Sequence, residues 1–275
     1  MADSRRFTID DVVRALALPD RARVDQRIPK KMLAEHGAPT ASDRRLLIDG
    51  IEELQWIAAL KPGTVAIPEH RADGREYLEV AVLGMRVRPT HGKALQLLRL
   101  TELVHRAVPY PVLLIQALAP GTEADSDAPP AQLIVSLANK RAAQNEAGKI
   151  VLDGELVRTE LAGADYTVVT VAGLLLDALA LDRQPHKDLM ALYQGWIDCL
   201  TAAEAARITG RFHLTADPAQ AAEQREALRE CQRLEHEAAR LRNQAAKERQ
   251  IAKRVDLNLA LQRVQADLNA ARARL

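Results

Sequence analysis

Residues 217–275 read DPAQAAEQREALRECQRLEHEAARLRNQAAKERQIAKRVDLNLALQRVQADLNAARARL, and after Pro218 this stretch contains neither Gly nor Pro. Leu228, Cys231, Leu234, Ala238, Leu241 and Ala245 recur at three- and four-residue steps. Leu257, Leu261, Val264, Leu268, Ala271 and Leu275 do the same. A mean period of 3.5 makes an apolar seam that faces another helix. The seam is lost between Lys247 and Asp256. Either the chain turns back there as an antiparallel hairpin, or the seam changes partner in mid-helix. With no Gly or Pro to mark a turn, the sequence favours a nearly continuous helix with a change of contact face. Each large apolar side chain gains roughly 1.5–3 kcal/mol only when it is buried. The seam therefore needs cover from the chain's own domain, a second copy or another protein.

Working back from this tail, Gly210 and Pro218 bound a linker. The expected division is a body over residues 1–210 and a coiled-coil-like helical segment over 219–275. The loop near 119–130, rich in Pro, Asp and Gly, is a candidate divide between two sub-lobes of the body. Thr8 and Asp11 form a capping-box pair ahead of Ile9, Val12, Val13 and Leu16, which predicts a short helix to Leu18. A second short helix follows Arg27-Ile28-Pro29-Lys30-Lys31 and runs to His36. Ser42 or Asp43 is expected to cap a helix whose face is Leu46, Leu47, Ile48, Ile51, Leu54 and Ile57. Val65 to Ile67 reads as a short strand, Glu69 to Arg75 as a loop, and Tyr77 to Val87 as an alternating strand. Gly92 to Ala107 reads as a helix with Leu95, Leu98, Leu103 and Val104 inward. Val112 to Ala117 and Leu133 to Ala138 are apolar strands. Lys149 to Leu152 is a further strand, with Glu155 to Thr159 continuing it. Val168 to Leu181 suits either strand or helix, and Lys187 to Ala206 is a helix. The order predicts an α+β (mixed α/β) fold: a mixed sheet with flanking helices, then a long C-terminal helix.

Composition excludes several classes. Hydrophobic residues make up 48% and charged residues 27%, which suits a folded soluble chain. A net charge of +1 leaves no whole-molecule electrostatic footprint for nucleic acid. The start, MADSRRFTIDD, has no apolar leader, and no run of about 18 apolar residues occurs, so the expected location is the cytoplasm. Cys199 and Cys231 fit buried free thiols of a reducing compartment.

Catalytic constellations are sparse. There is no GxxxxGK[ST], no GxGxxG and no GxSxG. The seven histidines stand singly, so no metal and no cofactor are expected. The strongest enzymatic reading is a metal-dependent nuclease, with Glu52 or Glu53 as a helix acid and Glu79 as a strand acid. A lysine two residues after Glu79 is lacking, and Arg86 and Lys140 are the nearest cations. Candidate phosphate or partner contacts are cationic: Lys30 and Lys31 near a helix start, Lys140 and Arg141 at a strand mouth, and Lys247, Arg249, Lys253 and Arg254 in the tail. From Ala219 onward twelve Arg and Lys face eight Asp and Glu. Such a run is either a solvated helix face or a phosphate-contacting one. No aromatic lies in the tail, so base stacking is excluded there.

Four segments, in order, carry a resemblance: Arg27-Ile28-Pro29-Lys30-Lys31, Ile51-Glu52-Glu53-Leu54-Gln55-Trp56, Ala107-Val108-Pro109-Tyr110-Pro111-Val112-Leu113, and the run from Lys247 to Asn258. Together they resemble the bacterial family of domain of unknown function 4391. The chain departs from its pattern at Ile251-Ala252. The resemblance implies a gene encoded beside DNA methyltransferases and helicases, in restriction-like defence islands, and it implies no catalytic residue. Gln250, Lys253 and Asn258 are expected to share one helical face against a neighbouring surface.

The functional expectation is a non-enzymatic accessory subunit of a DNA-modification or anti-phage defence system. It would dock through its body and C-terminal helix on a methyltransferase or helicase, with a homodimer also open and no membrane role. The alternatives are a nucleic-acid-binding module using the basic patches and a divergent metal-dependent nuclease.

Overall fold

The computed structural model describes residues 7–118, 132–143, 150–161, 166–215 and 217–275. The chain divides into two compact units, Met1–Leu200 and Thr201–Leu275. The candidate sub-lobe boundary at 119–130 falls outside the described residues.

The first unit begins with α1 (Ile9–Ala15), whose capping box is formed as expected: Asp11 N donates to Thr8 Oγ1 at 3.2 Å and Thr8 N donates to Asp11 Oδ2 at 2.9 Å. Then follow β1 (Arg23–Arg27), α2 (Lys30–Gly37), α3 (Ala41–Arg45) with a π turn at Leu46–Gly50, β2 (Ile51–Leu60), α4 (Pro62–Val65), β3 (His70–Ala72), β4 (Arg75–Tyr77) and β5 (Val80–Val87). The unit continues through α5 (Ala94–Ala107), β6 (Val112–Leu118), β7 (Gln132–Leu137), β8 (Lys140–Ala142), β9 (Ile150–Leu152), β10 (Val157–Glu160) and α6 (Tyr166–Ala178). α7 (Leu189–Thr209) starts in the first unit and ends in the second, which also holds α8 (Pro218–Lys247) and α9 (Ile251–Arg272).

Six strands form a mixed sheet in the order β1-β2-β5-β6-β7-β10. β5 and β6 are parallel and are joined by α5; the other neighbours are antiparallel. Leu97, Leu100 and Leu103 of α5 pack with Leu54 of β2 and Leu83 and Met85 of β5, all buried. A second set of buried side chains includes Leu175, Leu179, Leu192, Tyr193 and Trp196, with Trp196 Nε1 donating to Leu179 O at 2.9 Å. The α+β architecture expected from the element order is the one found.

Several local readings are corrected. The predicted helix through Ile57 ends at Gly50, and Ile51–Leu60 is a strand. Two register shifts, at Ile51/Glu53 and Trp56/Ala58, each add a residue to β2. They turn the strand's period of two into buried positions at Ile51, Leu54 and Ile57, a spacing that imitates a helix face. Thr40, not Ser42 or Asp43, caps α3. Val65 lies in a helical turn and Ala66 takes φ 58°, so the strand at 65–67 is absent. The polar stretch 69–75 is no loop: His70–Ala72 and Arg75–Tyr77 pair across Asp73-Gly74, whose φ values of 53° and 71° make the two-residue turn that favours Asp-Gly. In α5, Leu95 is 82% exposed, and Leu97 and Leu100 point inward instead. Val157–Glu160 does not extend β9; it pairs with β7 at the far edge of the sheet. The ambiguous run at 168–181 is helical to Ala178, where α6 ends, and Leu181 begins a short 3-10 turn.

In the second unit the tail is not one helix. α8 and α9 are separated by three residues and fold back antiparallel: Cys231 and Leu234 pack with Leu268 and Ala271, and Arg272 Nη2 meets Glu235 Oε1 at 2.8 Å. The break needs no Gly or Pro. Glu248 and Gln250 leave the helix at φ −77°, ψ 125° and φ −80°, ψ 119°, extended values open to any L-residue. Glu248 Oε1 steadies the bend by accepting from Gln250 N at 2.8 Å.

Candidate interaction surface

The cations singled out in the sequence fall in separate places. Lys30 Nζ donates to Ile48 O and Ile51 O, both at 2.8 Å, so it satisfies carbonyls left open where the π turn gives way to β2. Desolvation, with Arg88 and Arg27 nearby, holds its pKa below the usual lysine value. Lys31 beside it is exposed.

Lys140 is no surface cation. It is 3% exposed, and its ammonium donates to Val108 O. Burial pushes its pKa down to about 7. It belongs to a polar layer between α5 and the sheet that the sequence did not disclose. His105 Nε2 and Ser136 Oγ lie 3.0 Å apart, and Thr101 Oγ1 donates to Gln116 Oε1 at 2.5 Å. His105 Nδ1 and Gln116 Nε2 are buried without partners. Burial first, and the Lys140 charge second, push the His105 pKa down to about 3. Nearby, Tyr193 Oη donates to Val112 O at 2.8 Å and accepts from Ala138 N at 2.9 Å, closing the ends of β6 and β7. Arg141 reaches Asp153 at 3.5 Å, as Arg75 also does through Nε at 2.9 Å. Charged and polar side chains at strand ends look alike in sequence whether they face water or are folded inward, so no local signal marked this layer.

The acids of the nuclease reading are not brought together. Glu53 faces Arg86 at 3.9 Å on β2, while Glu79 precedes β5 and pairs with Lys61 at 2.9 Å. Glu53 is registered with Arg86, seven positions along β5 from Glu79, or roughly 23 Å at the strand rise. Glu52 and Glu53 also lie on a strand, not a helix. Among the described residues no group of three His, Cys, Asp or Glu could hold a metal ion. Cys199 and Cys231 are buried free thiols, and burial raises the pKa of each.

The helical hairpin presents a different surface. α8 outside its seam is lined by ion pairs three residues apart: Arg229–Glu226, Arg233–Glu230 and Arg240–Glu237. These suit a solvated face. α9 contrasts with it. Ile251, Val255 and Leu259 are 71%, 51% and 49% exposed. At about 100° per residue, every α9 side chain within about 60° of Val255 is uncharged, from Ile251 through Asn258, Gln262 and Ala266 to Ala270. At the bend, Lys247, Arg249, Lys253 and Arg254 are exposed, and none has an ion-pair partner among the described residues. The predicted common face of Gln250, Lys253 and Asn258 is not formed. Gln250 sits in the break, and Lys253 and Asn258, five residues apart, stand about 140° apart round the helix.

The fold and its surfaces define a class: an α+β domain with a mixed six-stranded sheet, carrying an antiparallel helical hairpin. The family model described as domain of unknown function DUF4391 matches residues 16–268, and the chain belongs to that family. No curated protein and no solved structure matches the chain. Among the described residues no helix is long and apolar enough to cross a membrane.

Proposed function

We propose that the protein is a non-enzymatic accessory subunit that docks on other proteins through its helical hairpin, within a DNA-modification or anti-phage defence assembly. The observation that supports this reading is the surface of α9, where Ile251, Val255 and Leu259 stand exposed beside four exposed cations at the bend. Exposed apolar side chains gain nothing from water or from phosphate; they gain from a protein surface that covers them. The exposed cations suit an acidic rim on that partner, which would steer encounter and fix orientation. The DNA-related setting comes from the family resemblance.

The test is co-purification with the products of neighbouring genes. Wild-type chain is compared with a variant in which Lys247, Arg249, Lys253 and Arg254 are all Glu. Binding lost on charge reversal supports the reading; binding unchanged by it removes the cationic bend as the contact. The same four cations favour a second reading, direct contact with nucleic-acid phosphates. Its signature is duplex affinity that falls with salt at a log–log slope of up to about −0.9 per phosphate contacted, read by fluorescence anisotropy. Absent or salt-independent binding removes it.

A further inference from the structure

We infer that the uncharged face of α9 pairs antiparallel with the same face of a second copy, so that two hairpins meet as a four-helix array. This rests on the reading of the hairpin as the docking element and names the occupant of one of its surfaces.

The composition of the face is the first ground. A solvated helix keeps charges on its outer side, as α8 does with its ion-paired Arg and Glu. The face centred on Val255 has none over its length, about 27 Å at the helical rise, and mixes Ile, Val, Leu and Ala with amides. An uncharged face meets its own copy without like-charge cost.

The charges that flank the face are the second ground, and they set the register of an antiparallel pair. Asp256 and Arg263 lie on one side of it, about 100° and 80° round the helix from Val255. Neither has an ion-pair partner within the chain among the described residues. A two-fold axis between Leu259 and Ala260 brings Asp256 of one copy opposite Arg263 of the other. Symmetry then repeats the pair with the roles exchanged. The same axis sets Asn258 near Gln262 of the other copy and places the two Leu259 side chains at the centre. Ile251 of each copy comes to lie near Asn269 of the other. A parallel arrangement would instead put Asp256 of one copy and Arg263 of the other on opposite flanks and bring the two cationic bends together. In the antiparallel one the bends sit about 30 Å apart by helical rise. That exceeds the roughly 8 Å screening length of physiological salt. Each cationic bend is thereby left free at its own end of the array.

A single helix face buries less than the roughly 800 Å² per partner of a standard stable interface. The pairing is therefore expected to depend on concentration. Sedimentation equilibrium of the full chain is expected to give monomer near 1 µM and to approach the dimer mass at several hundred µM, a Kd in the range of weak complexes. Val255→Lys places a charge at the centre of the face on a side chain already exposed in the single chain, and Lys is a good helix former. Circular dichroism is expected to be unchanged and the mass to stay monomeric at every concentration. Asp256→Arg and Arg263→Asp are each expected to weaken dimerisation about ten-fold or more, and the double swap to restore it, because the pairs re-form across the axis. A wild-type chain that is monomeric at every concentration overturns the inference, and so does a dimer that Val255→Lys leaves intact. Failure of the double swap to rescue overturns the antiparallel register. A monomeric chain whose neighbour-gene partners are still lost on charge reversal at the bend would sink this inference and leave the docking function standing.

Discussion

Lys140→Met separates a buried amine from a surface one. Lys140 is 3% exposed and its pKa is pushed from 10.5 down to about 7 by burial. That drop corresponds to about 5 kcal/mol, at about 1.4 kcal/mol for each tenfold loss of proton affinity. Between pH 7 and 10.5 the unfolded chain holds the proton that the folded chain has released, so stability rises with pH across that window. Below about pH 7 both states are protonated, and the folded state carries the full cost of an interior charge. Methionine has similar length and no charge, but it leaves Val108 O without its donor, a loss of about 1–3 kcal/mol. The variant is therefore expected to be more stable than wild type by roughly 2–4 kcal/mol at pH 6 and less stable by about 1–3 kcal/mol above pH 10. Urea unfolding followed by circular dichroism, at one-unit pH steps, reads both. If the difference between variant and wild type keeps one sign and size from pH 6 to pH 10, the buried-amine account is wrong.

Other outcomes follow from the same geometry. His105, pushed down to about 3, stays neutral in the fold while the unfolded chain takes a proton below about 6.5. Wild type should lose stability steadily from pH 6.5 to 3, and His105→Gln should flatten that loss in acid unfolding titrations. Tyr193→Phe strips the hydroxyl that serves Val112 O and Ala138 N, and should cost about 2–4 kcal/mol in urea unfolding, through buried groups left unpaired. A Cβ on Gly37 would stand 2.4 Å from Ala107 Cβ, so Gly37→Ala should force α2 away from α5 and lower stability by about 1–3 kcal/mol, seen as a lower Tm.

Legibility followed the range of the interactions involved. The capping box at Thr8 and Asp11 and the buried strands at 112–118 and 132–137 were readable because their signals lie within a few residues. β2 was misread because its two bulges are responses to pairing with β5, a partner about thirty residues away, and they make a strand repeat like a helix. The β3–β4 hairpin carried its Asp73-Gly74 signal in plain view, but its strands are polar and so hid it. The cations chosen as contacts divided by fate: Lys30 serves carbonyls and Lys140 is buried, while those at the bend stay exposed. Chemical type was visible in sequence; whether a charge faces water was not.

The sequence by itself determined that this chain is an α+β protein with a helical tail whose apolar seam must be covered, because hydrophobic period and residue type are local properties. Tertiary structure decided what covers that seam. α8 and α9 fold onto each other, since antiparallel packing of two seams shelters both without any residue that forces a turn. It also decided which face was left over. The uncharged side of α9 becomes a surface only once its opposite side has been used.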